Sequence, residues 1–393
     1  MKKSILSAAV VGAAALLAAC GTTGGEPVAA PSSATSAPSG PSAPSTSAGP
    51  TVAVPAGLDT AAYPTKSRSI TVSANRSWVA EGNRMGDEAL IQVNEVDPRL
   101  TIGGASLRSY PIVEAAGLNT RVPDATAAAF AANGFRVGMT TTRGDALKNP
   151  GVAVRIGLYR FDTAEAAKKA VDAVRTATAQ ARPITVTVDG APDVLASEFK
   201  PGTVDAYVAQ GAIVVNVSGT GPSTDQGAQF VTKALGLELP KLKGFTPTPV
   251  DKIQTIDVDK DGILSRTLPQ PDSSDAALFE NWYDMAGYKH RVQDISNLTT
   301  VTAAGIDLVG QAGSVVYRTR DAAAATTMVQ TAASKNPAVA GIPQLPTVKC
   351  MTGGARTYCW VPVGRYVGSV DDTDAGVARQ KAAAQFSILA TTP

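Results

Sequence analysis

At 393 residues, with 44% apolar and 5% aromatic side chains, the chain is long enough for two or three domains with packed cores. Its 35 basic and 33 acidic residues nearly cancel, which excludes a surface built for nucleic acid or for electrostatic attachment to an anionic bilayer. The chain has one histidine, His290, so any mechanism that needs an imidazole must use it.

The chain opens with Met1-Lys2-Lys3, then runs through residues 4–19 without a charge, ending in Leu17-Ala18-Ala19-Cys20. That run is shorter than the roughly 20 residues a spanning helix needs and ends in a small-residue site, as a cleaved signal does. A plain secretory signal and an uncleaved anchor helix are the competing readings. Residues 1–21 resemble bacterial lipoprotein precursors. The resemblance implies cleavage before Cys20, a diacylglyceryl thioether and an N-acyl group on Cys20, and a place on the outer face of the cytoplasmic membrane. Two or more acyl chains anchor a protein without help from its charge. Losing Lys2 and Lys3 with the signal would leave 33 basic side chains against 33 acidic ones.

Residues 20–57 are dominated by Ala, Pro, Ser, Thr and Gly, with one charge in 21–56 at Glu26, so the sequence predicts a disordered tether. A flexible coil of that length spans roughly 30–35 Å, and a polyproline II rod reaches roughly 110 Å.

An N-terminal α+β domain is then expected over 58–244, with helices over 78–92 and 124–133. A linker over 245–271 and a C-terminal α+β domain over 272–393 follow. The two domains read as duplicates. Leu158-Tyr159-Arg160-Phe161-Asp162-Thr163-Ala164 parallels Val316-Tyr317-Arg318-Thr319-Arg320-Asp321-Ala322, each a strand running into a helix capped at Asp162/Thr163 or at Asp321. Asp162 with Glu165 has the form of a capping-box pair. Ala167, Ala170, Val171 and Val174 then match Ala325, Met328, Val329 and Ala332, one apolar stripe at i, i+3, i+4, i+7. Further on, Gly211 and Gly364 each punctuate the step between two strands. Thr224-Asp225 and Thr373-Asp374 read as caps of a closing helix, expected to end near Gly236 in the first domain. Each domain is therefore expected to be an antiparallel sheet with helices packed on one face.

Few motifs carry chemistry. Asp257, Asp259 and Asp261 ahead of Gly262 fit the start of an EF-hand loop, yet Leu268 stands where a bidentate glutamate is needed. Residues 252–256 read as extended and Pro269 bars a following helix, so a solvated turn is the better reading and no metal or other cofactor is expected. Cys350 and Cys359 flank a hairpin whose turn at Gly354-Ala355 pairs Gly353 with Arg356 and sets the cysteines opposite each other. An exported chain would close them into a disulfide; two thiols without neighbouring histidines are half a zinc site. Ser197 and Ser218 lack the partners of known nucleophile motifs. Phe279, Trp282 and Tyr283, at helical spacing, read as a core stripe ahead of an apolar pocket for lipid or glycan. Tyr358, Trp360 and Tyr366 are expected as cross-strand partners.

From about Tyr63 onward the sequence resembles a family of actinobacterial lipoproteins, of the mycobacterial and rhodococcal group. The features are Tyr63-Pro64-Thr65-Lys66, Glu95-Val96-Asp97-Pro98, Asp261-Gly262-Ile263-Leu264-Ser265-Arg266-Thr267-Leu268-Pro269 and the Cys350/Cys359 hairpin. The resemblance implies a location and a domain order, and no catalytic residues. The expected function is a non-enzymatic module of the cell envelope, held to the membrane through Cys20 and binding a glycan, lipid or protein. The alternative is an envelope hydrolase or transferase using groups the sequence does not identify.

Overall fold

The computed structural model describes residues 52–103, 109–270 and 276–392. The signal, Cys20 and most of the tether lie outside the described residues. Among those described, no helix is long and apolar enough to cross a membrane.

The first half opens with helix α1 (Ala74–Arg84), capped by Ser73 and continued by a π turn over Met85–Ala89. The helix expected over 78–92 thus starts four residues earlier, where the Ser73 hydroxyl accepts from Arg76 N, and changes pitch after Arg84. Strand β1 (Ile102–Gly103), helix α2 (Asp124–Ala132) and the long hairpin β2 (Phe135–Gly144) and β3 (Ala153–Phe161) follow. Helix α3 (Ala164–Ala177), strands β4 (Leu195–Lys200), β5 (Thr203–Gln210) and β6 (Ile213–Thr220), and helix α4 (Thr224–Lys243) complete the half. The sheet is antiparallel, in the order β1-β2-β3-β6-β5-β4.

The second half repeats the plan. After the short helix α5 (Ala276–Phe279) come strand β7 (Asn281–Tyr283), helices α6 (Met285–Arg291) and α7 (Thr299–Ala303), and strands β8 (Leu308–Gln311) and β9 (Val315–Arg318). Helix α8 (Ala322–Ser334), strands β10 (Lys349–Gly353), β11 (Arg356–Val363) and β12 (Tyr366–Asp372), and helix α9 (Ala375–Thr391) end the chain. The order β7-β8-β9-β12-β11-β10, again antiparallel, matches the first sheet strand for strand. Gly211 and Gly364 occupy equivalent tight turns at φ 55° and 53°, a conformation that a side chain with Cβ rarely adopts.

This α+β class of two related antiparallel sheets with helices is the one expected. Helices, however, lie on both faces of each sheet. Successive strand residues point to opposite faces. Ile156 and Leu158 therefore meet Val231 and Leu235 of α4, while Tyr159 and Phe161 meet Phe130 of α2 and Val171 of α3. In the second half α9 covers Val316 and Val361, while α8 covers Tyr317 and Val367. The buried stripe of α3 is Ala167, Ala170, Val171 and Val174. On α8, Ala325, Met328 and Val329 are buried and Ala332 is half-buried.

Local details differ from the sequence reading for identifiable reasons. Helix α4 runs seven residues past Gly236, because Leu239 and Leu242 extend the buried stripe that Leu235 belongs to. Its cap is Ser223, and α9 is capped by Asp374. Asp162 pairs with Arg136 at 2.7 Å and leaves the cap of α3 to Thr163. Residues Val250–Thr255 form a 3-10 turn where an extended stretch was expected.

The segment between the sheets is packed. Val258, Ile263, Leu264 and Leu268 all enter the core of the second half. Residues 58–70, ahead of α1, also lie there: Leu58, Tyr63 and Ile70 pack on that same core. Gln380 of α9 donates to Asp59 at 2.9 Å, and Arg68 bonds Glu280 at 3.0 Å. The described residues thus open with a strap across the second half before the chain builds the first.

Candidate functional site

The two halves meet along the π turn of α1, strand β1 and helix α6. The π turn carries Asp87 across the junction, where its Oδ2 accepts from Asp284 N at 3.1 Å. Asp284 also caps α6, accepting from Ala286 N and Gly287 N. The fit depends on glycine at 287: a Cβ there would stand 1.7 Å from Asp87 Oδ1. Arg291 lies over the Tyr283 ring, 4.0 Å from its centroid, and donates to Gly287 O and to Asn83 Oδ1. Burial first, and the neighbouring Asp284 second, push the Asp87 carboxyl up to about 7 against the opposing pull of Arg291.

Beside this contact, Arg143 reaches from β2 into the second half. Its guanidinium donates to Thr101 O, Lys289 O and Val292 O, and the side chain is almost wholly buried. Burial lowers it to about 10. Gly103 N donates to Gln293 O and Ile295 N to Thr101 O, so the segment after α6 serves as a further partner for β1. This pairing fixes the loop that leads into α7.

His290 sits in the centre of the junction. Gln92 Nε2 stands 3.1 Å from its Nε2 and Thr141 Oγ1 stands 3.2 Å from its Nδ1. With the amide donating to Nε2, the ring proton belongs on Nδ1. Burial, then the positive Arg291 and Arg143, lower its pKa to about 3, so the imidazole is neutral at physiological pH. Nearby Glu238 of α4 is fully buried, accepts from Ile91 N at 3.0 Å, and is pushed up to about 8 by burial.

Where this junction reaches the surface it opens into a cleft of about 710 Å³. The first half supplies Gln92, Asn94 and Glu95 from a 3-10 turn closed by a reciprocal Gln92–Glu95 capping box. The second half supplies Lys289 of α6, then Ile295 and Leu298, and the hydroxyls of Thr299 and Thr302 from the first helical turns after them. Gln92 Nε2 also donates to Ala286 O at 3.0 Å, which holds the two walls in fixed relation. The cleft mixes polar and apolar residues in its lining and includes one acidic and one basic side chain. Its volume is within the size range of small-ligand sites.

Of the residues singled out from sequence, His290 and Tyr283 lie at this junction and the others lie elsewhere. Asp259 accepts from Leu264 N and Ser265 N, Asp257 accepts from Asp259 N, and Asp261 pairs with Arg318 at 2.7 Å. The three carboxylates are thus turned to separate partners. Among the described residues, no three His, Cys, Asp or Glu side chains are placed to share a metal ion. Cys350 and Cys359 are directly opposed across β10 and β11 and form a disulfide, with Gly353 opposite Arg356 as the hairpin requires. Trp282 and Tyr283 belong to strand β7 and not to a helix, so they point to opposite faces and enter different cores. Pairing with β8 overrides the helical spacing there. Phe279 is left at the surface against Tyr110, and no aromatic pocket forms from the three. Trp360 stacks on Tyr317 of β9, while Tyr366 turns to the opposite face and packs on Arg266. Asp87, Arg143, Glu238 and Arg291 escaped sequence reading, because a charged residue outside any recognisable motif reads as part of a solvated face. The Gly287 that admits Asp87 was the one available signal.

Residues 71–258 match the N-terminal domain of unknown function DUF7373, and residues 263–392 match its C-terminal counterpart. No curated protein matches the sequence. Among solved structures, the extracellular domain of PknH from Mycobacterium tuberculosis is 17% identical, over 42% of this chain and 93% of its own, with a TM-score of 0.26. That likeness is too slight to build on. The chain carries, in order, the N-terminal and the C-terminal domain of the DUF7373 family.

Proposed function

We propose that this is a lipid-anchored protein of the actinobacterial cell envelope, outside the cytoplasmic membrane, that binds an envelope ligand without transforming it. The observation that carries the anchoring is Leu17-Ala18-Ala19-Cys20 at the end of an uncharged run after two lysines. The environment of His290 supports a binding role. Both its ring nitrogens are engaged and it stays neutral at physiological pH, whereas a general base works best with a pKa near the operating pH. The cleft that joins the two halves is the place for a ligand, since residues of both line it.

Labelling cells with a fatty-acid probe tests the anchor. The protein should take up label and partition with membranes, and Cys20→Ala should lose both. Label retained in the variant would refute the anchoring. Mass spectrometry of lipids, glycans and proteins that co-purify with the detergent-extracted protein tests the binding role.

A further inference from the structure

We infer that the cleft between the halves takes an oligosaccharide of N-acetylated hexosamine. The inference rests on the binding role proposed above and names its ligand class. An acetamido sugar makes three separate demands on a site: an acceptor for its N–H, a donor for its carbonyl oxygen, and an apolar spot for its methyl group. The lining of the cleft holds all three. Glu95 gives one oxygen to Gln92 N at 2.9 Å and keeps the other for a ligand. Lys289 from the second half and the Asn94 amide from the first are donors among the lining residues, and Ile295 with Leu298 are apolar members of the same lining.

Two further properties narrow the class. One carboxylate and one ammonium give the lining no net charge, which suits a neutral sugar better than a phosphate or a polyanion. Thr299 and Thr302 stand three apart on α7, so their hydroxyls share one helix face and can meet a row of sugar hydroxyls. A volume of about 710 Å³ accommodates more than one ring. The walls are held before any ligand arrives, by Gln92 against Ala286 O and by Arg143 against Lys289 O. Pre-organisation of this kind lowers the entropic cost of capture.

Calorimetric titration of the detergent-solubilised full chain with chitotriose tests the assignment, with maltotriose as a trisaccharide that lacks acetamido groups. The expected result is millimolar or tighter binding of chitotriose at one site, and binding of maltotriose weaker by roughly tenfold or more. Thr302→Trp, on the exposed face of α7, should fill the cleft and abolish binding while leaving the unfolding temperature unchanged. Lys289→Met should weaken binding at least severalfold without filling the cleft. Equal heats for the two sugars, or undiminished chitotriose binding in Thr302→Trp, would overturn the assignment. No chitotriose binding, together with a lipid or protein that co-purifies reproducibly, would overturn the sugar and keep the binding role. No binding and nothing co-purifying would overturn both.

Discussion

Replacing Glu238 by glutamine should flatten the dependence of stability on pH. Glu238 sits on α4 with no exposed surface, one oxygen on Ile91 N and the other without a hydrogen-bond partner among the described residues. Lys241, one turn on, donates to Leu90 O at 2.7 Å, and its charge opposes the effect of burial on the carboxyl without overcoming it. Burial raises the carboxyl from 4.5 to about 8. Below pH 4.5 the group is protonated in both folded and unfolded chains. Between 4.5 and 8 the unfolded chain ionises while the folded chain holds its proton, so stability falls as pH rises; above 8 the loss is complete. A displacement of that size corresponds to an upper limit of roughly 5 kcal/mol, and relaxation or water entry would reduce it to a few kcal/mol. Glutamine retains an acceptor for Ile91 N and cannot ionise. Urea unfolding of both proteins at pH 5 and pH 9 is the assay. Wild type and Glu238→Gln should be of similar stability at pH 5, and the variant the more stable at pH 9. Asp87, raised to about 7, adds to the wild-type slope in the same direction and persists in the variant, so the comparison isolates Glu238. Parallel profiles, or a variant less stable at pH 9, would refute the reasoning.

Gly287→Ala places a methyl group against Asp87 and should cost ~1–3 kcal/mol, read as a lower urea midpoint, with Asp87→Gly in the same chain recovering part of the loss. Joint replacement of Cys350 and Cys359 by serine opens a link of sequence separation 9 and should cost about 2–3 kcal/mol. Reduction of the wild type should lower its stability by a similar free energy, seen as a lower melting temperature, and a reductant-insensitive melting curve would show that the bridge is not formed in solution.

The repeated architecture was legible because it rests on short-range rules. Thr163 and Asp321 cap helices whose apolar residues recur at i, i+3 and i+4, and Gly211 and Gly364 turn the strands at the same step in each half. The hairpin register around Gly354 followed from turn chemistry alone. What stayed hidden depends on partners distant in sequence. Strand β7 is three residues long, too short to show an alternation of its own, and only β8 makes it a strand. The boundary near Gly236 failed because a glycine inside a helix costs about 1 kcal/mol, less than two buried leucines return. The cleft has no sequence signature, since Gln92 to Glu95 and Lys289 to Thr302 lie about 200 residues apart and neither segment is unusual by itself.

The strap over 58–70 sets the route by which force would travel through the molecule. A pull applied at residue 52 and directed away from the body meets the Asp59–Gln380 bond, the Tyr63 and Leu58 contacts and the Arg68–Glu280 pair before it reaches Ser73 and the first helix. The second half therefore bears the load, through α9, while the first half hangs from it beyond the junction at Asp87 and Arg143. Tension applied at residue 52 would be spent first in shearing the strap along α9, ahead of any load on the cleft between the halves.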